Sequence, residues 1–139
     1  MSILLDTCVI SELIKPAPDP IVLAWTGDTP EGFCFLSTIT LGEVMNGIWR
    51  LPAGKRRSRL EAWFEGLLAR YEARILPVDA AVAGKWGRLA GALARQGAPT
   101  SMADGLIAAT ALVHGLKLAT RNSADFRPFE VEIVDPWAR

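Results

Sequence analysis

The sequence predicts an α/β fold: a parallel sheet of about five strands, covered on both faces by helices. Three observations carry this. Short apolar runs recur along the chain, bounded by polar or turn-forming residues, as in strands buried on both faces. Helical patterns fill the stretches between them, and strands alternating with helices build parallel sheets. Acids stand where strands end and helices begin, at the edge where open α/β sheets bind their ligands.

The first strand is Ile3-Leu4-Leu5, and it ends on Asp6. Thr7 to Lys15 reads as a short helix with Val9, Ile10, Leu13 and Ile14 on one side, stopped by Pro16 and Pro18. Asp19 caps a second helix, with Pro20 at its first position, running to about Gly27. Residues 27–32 form a loop, and Phe33-Cys34-Phe35-Leu36 is the second strand. Ser37 or Thr40 caps a third helix, Leu41 to Leu51, which carries Glu43.

Pro52-Ala53-Gly54 interrupts the pattern, and 55–73 then reads as a long amphipathic helix. Its first turn holds Lys55, Arg56, Arg57 and Arg59, cations set against the helix dipole. Arg74 to Val78 is the third strand. Asp79 caps a helix over 80–96, ended by Gly97 and Pro99. Its small residues, Ala83, Gly84, Gly87, Ala90, Gly91 and Ala94, point to close helix–helix approach. They are not a dinucleotide loop, because no strand directly precedes them and the spacing is wrong. Thr100 or Ser101 caps a helix from Met102 to His114, with Gly115 as its stop. Leu116 to Thr120 is the fourth strand, Arg121 to Phe126 a loop with at most one helical turn, and Val131 to Val134 the fifth strand.

A chain of 139 residues suits one domain, 1–139, with a real core. Half of it is apolar and 22% is charged, which excludes a disordered chain. No apolar run approaches the roughly 18–20 residues that span a bilayer, and the start lacks a basic region and a cleavage signal. The expected location is cytoplasmic. Cys8 and Cys34 have no metal-ligand spacing and read as buried thiols.

The chemistry lies in four carboxylates. Asp6 follows strand one. Glu43 lies in the first turns of the helix after strand two. Asp104 opens the helix of Ser101-Met102-Ala103-Asp104-Gly105. Asp125 follows strand four. An acid in a first helical turn also complements the helix dipole, so any one of them could be structural, and Asp104-Gly105 could be a cap. Four at corresponding ends favour a site. Clustered carboxylates repel one another unless a cation joins them. Oxygen ligands suit Mg²⁺ or Mn²⁺, which can lower the pKa of a water and stabilise charge on a phosphoryl oxygen. Thr7, Thr120 and Asn122 are neutral oxygen-bearing neighbours suited to hold the acids. Other chemistries fail. His114, the single histidine, ends a helix, and there is no phosphate loop of the Gly-x-x-x-x-Gly-Lys type. A phosphoaspartate enzyme would want an acid where Cys8 stands.

Four ordered segments carry a family resemblance: Leu4-Leu5-Asp6-Thr7-Cys8-Val9-Ile10-Ser11-Glu12, Leu36-Ser37-Thr38-Ile39-Thr40-Leu41-Gly42-Glu43-Val44, Ala103-Asp104-Gly105-Leu106-Ile107-Ala108-Ala109 and Ala119-Thr120-Arg121-Asn122-Ser123-Ala124-Asp125-Phe126. With the ending Val134-Asp135-Pro136-Trp137, the chain resembles the PIN-domain ribonucleases. It is nearest to the VapC-type toxins of bacterial toxin–antitoxin pairs and their FitB-like branch. The resemblance implies a three-layer α/β/α sandwich and cleavage of RNA by a water activated on Mg²⁺ or Mn²⁺. It makes Asp6 and Asp104 the main metal ligands, with Glu43 and Asp125 completing the set through water. Two departures stand out: Cys8 replaces the usual Asn, and in this branch the fourth acid can sit at the position of Asn122 instead.

The resemblance also implies a homodimer, a small antitoxin whose tail lies across the toxin, and operator DNA reached only through that antitoxin. No membrane is involved. Of the tryptophans, Trp49 and Trp63 are the interface candidates, and Trp25 and Trp86 read as core. Gathering four acids into one site leaves the remaining surface net basic. Its densest group is Arg50, Lys55, Arg56, Arg57 and Arg59, placed to meet RNA phosphates, to pair with an antitoxin tail, or simply to be solvated. Two competing readings remain: a catalytically weak PIN-fold binding module acting in a DNA-bound repressor complex, and a metal-dependent hydrolase of small phosphoesters.

Overall fold

The computed structural model describes residues Ser2 to Ala138. Strand β1 (Ile3–Leu5) leads to α1 (Thr7–Leu13) and α2 (Pro20–Asp28), and β2 (Cys34–Ser37) to α3 (Thr38–Trp49) and α4 (Lys55–Arg70). Strand β3 (Ile75–Leu76) is followed by α5 (Ala80–Arg95) and α6 (Met102–His114). Strand β4 (Lys117–Ala119), the short α7 (Ser123–Phe126) and β5 (Ile133–Val134) complete the chain. The strands form one parallel sheet in the order β3-β2-β1-β4-β5.

Strand side chains alternate between faces, and the core divides accordingly. Ile3 and Leu5 face one side, where they meet Val9 and Ile10 of α1, Leu41, Val44 and Ile48 of α3, and Phe64 and Leu67 of α4. Leu4 faces the other side, against Ile107, Ala108 and Ala111 of α6, with Phe126 and Phe129. Leu89 and Leu93 of α5 close that layer. The three-layer α/β/α sandwich is therefore present, and its central strand β1 is apolar throughout because both faces are covered.

Several boundaries differ from those read in the sequence, and capping explains the largest. Helix α3 starts at Thr38, because the Ser37 hydroxyl accepts from the Ile39 amide at 3.0 Å; Thr40 lies inside the helix and is fully buried. Helix α4 stops at Arg70, and 72–74 tightens into a 3₁₀ turn. Arg74 thus precedes strand β3, and its guanidinium donates to the Glu31, Cys34 and Arg70 carbonyls. The glycines of α5 do not provide the expected close approach: a Cβ on Gly87 or Gly91 would meet nothing within 4 Å. The contact comes from the facing helix, where Gly105 of α6 receives the ring of Trp86.

Helix α1 ends at Leu13, two residues short of Lys15, and Glu12 shapes the turn that follows. One of its oxygens accepts from Lys15 Nζ at 2.8 Å and the other from the Asp19 amide at 2.9 Å. The Lys15 contact first, and then the Asp19 amide, hold the carboxyl below its ordinary range. A carboxyl depressed by folding contributes stability above its unfolded pKa of about 4.3 and loses that contribution as pH falls through the folded value. Glu12→Gln is expected to destabilise the chain at neutral pH and to flatten its loss of stability in acid. Urea midpoints at both pH values check this; an unchanged acid limb would rule it out.

Candidate active site at the sheet edge

The strand order reverses beside β1: β2 and β3 lie on one flank, β4 and β5 on the other. Such a reversal opens a crevice at the C-terminal ends of the two strands, here β1 and β4. Asp6 stands at the end of one and Thr120 at the end of the other. The ladder continues one step into this edge, with the Asp6 amide donating to the Ala119 carbonyl at 2.9 Å.

Asp6 is 4% exposed and caps α1. Its Oδ1 accepts from the Thr7 amide at 2.8 Å, and its Oδ2 accepts from the Thr120 hydroxyl at 2.7 Å. Thr120 is fully buried, and its oxygen in turn accepts from the Asn122 amide at 3.0 Å. The chain Asn122–Thr120–Asp6 therefore fixes the carboxylate across the crevice. Thr120→Val removes a buried donor to a charged acceptor and is expected to cost about 1.5–3 kcal/mol. Denaturant unfolding of the two chains measures it, and an unchanged midpoint would exclude this role.

Cys8 stands beside the same oxygen, with Sγ 3.5 Å from Asp6 Oδ2 and 3.6 Å from Thr120 Oγ1. Burial, and then the Asp6 charge, push its thiol above the ordinary range. It stays protonated and supplies a weak donor. Cys34 is buried, and its thiol is also raised, by burial first. Both cysteines are free, and neither is activated.

Glu43 is held from α1. Thr7 Oγ1 donates to Glu43 Oε1 at 2.6 Å and lies 3.4 Å from Thr40 Oγ1. Thr40 is the site residue that the sequence reading placed elsewhere. Thr40-Leu41-Gly42-Glu43 has the spacing of a capping box, which draws attention to the helix start. The same spacing puts Thr40 and Glu43 on one helical face, which was the usable signal.

Asp104 lies in the first turn of α6, where the Ser101 hydroxyl accepts from its amide at 3.1 Å. Burial pushes its carboxyl above the ordinary range, against the lowering effect of Ser101. The negative charges of Asp6, Asp125 and Glu43 add to the rise. The charges of the other three acids thus reach Asp104, whose helix follows a loop rather than a strand. Asp125 sits in α7, exposed, with its amide on the Asn122 carbonyl at 3.0 Å.

Among the described residues, no three acid, imidazole or thiol groups are drawn together tightly enough to grip an ion by themselves. The donor set still fits a hard, hydrated cation. It is all carboxylate oxygen, it repels itself, and it leaves room for waters, as Mg²⁺ prefers. Glu43 and Asp125 are exposed and can reach such an ion through water.

Of the aromatic candidates, Trp49 is 58% exposed, with the Arg57 guanidinium 4.1 Å above its ring. Trp63 packs partly into the core and lines a groove of about 440 Å³ with Leu13, Ile14 and Leu60, rimmed by Arg56 and Arg59. Trp25 and Trp137 pack on the core.

A parallel sheet with carboxylates at its switch point defines a class, the α/β domains that carry an acidic site at the strand ends. The chain belongs to the PIN domain family, which matches it over residues 3–129. It is 40% identical to the VapC ribonuclease Y4jK of Sinorhizobium fredii over 97% of both chains. It is 38% identical to toxin FitB of Neisseria gonorrhoeae, over 97% of this chain and 98% of that one. The crystal structure of FitAcB from N. gonorrhoeae superposes with a TM-score of 0.93 at 37% identity, over 99% of each chain.

Proposed function

We propose that residues 1–139 form a single PIN domain acting as a metal-dependent endoribonuclease, the toxin of a type II toxin–antitoxin pair. The observation that carries this reading is the geometry at the β1/β4 edge: a buried Asp6 held by Thr120, Glu43 tied to the neighbouring Thr7, and Asp104 in the first turn of α6. The family membership and the ribonuclease and toxin names of its relatives support it.

In this reading Asp6 and Asp104 hold Mg²⁺ or Mn²⁺ directly, and Glu43 and Asp125 act through water. When bound, the ion supplies an activated water and charge stabilisation at the scissile phosphate. Thr120 and Cys8 keep Asp6 aimed into the cleft, and Thr7 does the same for Glu43. Asn122 serves through its backbone, which braces Thr120. The cytoplasm is the site of action, and no described helix is long and apolar enough to cross a membrane. The partner is a small antitoxin, with operator DNA reached through it and a homodimer as the working unit. The groove beside Trp63 suits an apolar antitoxin segment that carries acids opposite Arg56 and Arg59.

The test uses antitoxin-free protein and a mixed pool of structured RNAs that includes transfer RNAs. Discrete fragments are expected with Mg²⁺ or Mn²⁺ and none with chelator. A folded, metal-loaded chain that leaves every RNA intact would sink the reading and favour the binding module. Turnover of small phosphoesters with RNA spared would favour the hydrolase.

A further inference from the structure

A second feature opens directly from the acidic cleft. A groove of about 620 Å³ runs along α3 from Thr7 and Glu43, past Gly42, Asn46 and Gly47, to Arg50. Residues 43, 46, 47 and 50 follow the helical repeat and share one face. Asn46 and Arg50 are exposed, and neither side chain has a hydrogen-bond or ion-pair partner among the described residues. Gly42 and Gly47 leave the floor open: a Cβ on either would meet nothing within 4 Å. Internal packing therefore does not account for two glycines inside this helix.

The two ends of the groove have opposite character. One is the carboxylate cleft and the other is a lone guanidinium, with Lys55 and Arg56 following in sequence. Both ends suit phosphate, the first through a cation and the second by direct charge-assisted hydrogen bonds. Seven residues of helix separate Glu43 from Arg50, about 10 Å along the axis. At about 3.4 Å per stacked nucleotide, that is roughly three steps of a strand.

We propose that this groove is the track of the RNA strand leaving the scissile bond, with Arg50 on a phosphate about three nucleotides away and Asn46 on the ribose or base between. The proposal rests on the ribonuclease reading and adds to it a direction and a subsite. It takes RNA rather than a protein tail because the groove is continuous with the carboxylate cleft and ends on the Arg50 guanidinium, while Ile39 is the one apolar side chain among the described residues of its lining and leaves a protein segment no second anchor.

The test compares full-length wild type with Arg50→Ala, Asn46→Ala and Gly47→Leu, and with Arg95→Ala on the exposed end of α5 as control. The probe is a fluorescein-labelled, mixed-sequence single-stranded RNA, bound in chelator and cleaved in Mg²⁺ or Mn²⁺. Arg50→Ala is expected to weaken binding about tenfold, as the loss of one charged hydrogen bond implies, and to reduce the slope of log affinity against log salt by about 0.7. Asn46→Ala loses less and keeps the slope. Gly47→Leu fills the groove while improving helix propensity, so its melting temperature should rise as its RNA affinity falls. That divergence is one a merely structural role does not produce. Unchanged affinity and slope in Arg50→Ala, with wild type still cutting RNA, would overturn the track and leave the ribonuclease reading standing. A wild type that neither binds nor cuts RNA would overturn both.

Discussion

Asp6→Asn is expected to abolish metal-dependent cleavage and leave the fold intact, and the geometry says why both hold. The amide keeps an oxygen for the Thr7 N–H. Its nitrogen then faces the Thr120 hydroxyl, whose oxygen can accept where the hydroxyl formerly donated, leaving the O–H to turn to Cys8 Sγ at 3.6 Å. The buried position stays satisfied, so the metal-free chain should stay folded and lose only the charge-assisted part of the Thr120 bond. It loses one negative charge from a cleft in which Asp104 is raised partly by Asp6, so repulsion within the site falls. Metal binding behaves oppositely. A cation at 100 times its dissociation constant stabilises the folded chain by about 2.7 kcal/mol, and that increment should vanish with the principal ligand. Melting with and without Mn²⁺ therefore gives a readout independent of catalysis. Wild type should shift upward and Asp6→Asn should not. Cleavage should fall to the level of the chelator control. If the variant still cuts at the wild-type rate, Asp6 is not a ligand, and the cleft must be reassigned around Asp104. If it unfolds, the carboxylate is a structural cap for α1.

The layers of this fold were readable because buried parallel strands leave a plain trace. Ile3-Leu4-Leu5 and Cys34-Phe35-Leu36 have no polar alternation to confuse them with surface strands. Asp6 and Asp104 could be placed from pattern, because one follows a strand directly and the other stands in the first turn of a helix, whereas Glu43 lies in the second turn of α3 and Asp125 beyond the end of β4. What pattern could not supply was contact across the sheet. Thr120 and Asp6 lie 114 residues apart and meet only because β4 pairs with β1. Thr7 reaches Glu43 because α1 packs against α3. Pattern leaves Ser37 and Thr40 as equal cap candidates, and only the Ser37 hydroxyl bond resolves which residue starts the helix. Cys8 likewise borders Asp6 and Thr120 and offers them a weak donor. The small residues of α5 pointed to the close packing of α5 on α6 but not to its details. A glycine stripe permits close approach but does not say which helix uses it, and here α5 gives the bulky ring and α6 the vacancy.

That exchange of roles makes Gly105→Ala the substitution with the largest expected cost in stability. A Cβ at Gly105 would lie 2.6 Å from Trp86 Cδ1 and 2.7 Å from Nε1, with Phe129 Cζ at 3.5 Å. The indole is rigid and backed by its own helix, so the strain cannot be shed by a single torsion. In an open helix the change would gain about 1 kcal/mol of propensity. Overpacking a close-packed interface costs about 1–3 kcal/mol or more, and a contact this short belongs at the upper end, so the net sign is destabilising. The effect should reach the cleft, because Gly105 follows Asp104 directly. Any shift of α6 away from α5 moves that carboxylate relative to Asp6, and metal affinity should fall along with the melting temperature. Trp86→Leu separates this account from a generic helix defect. Combined with Gly105→Ala, it removes the clashing ring, so the double variant should be more stable than the sum of the single changes predicts. Strictly additive losses would mean that Trp86 is not what Gly105 makes room for. A Gly105→Ala chain stabilised by propensity alone would mean that α5 and α6 do not meet at this glycine. In that case the position of Asp104 would have to be set by the Ser101 cap and the loop before it.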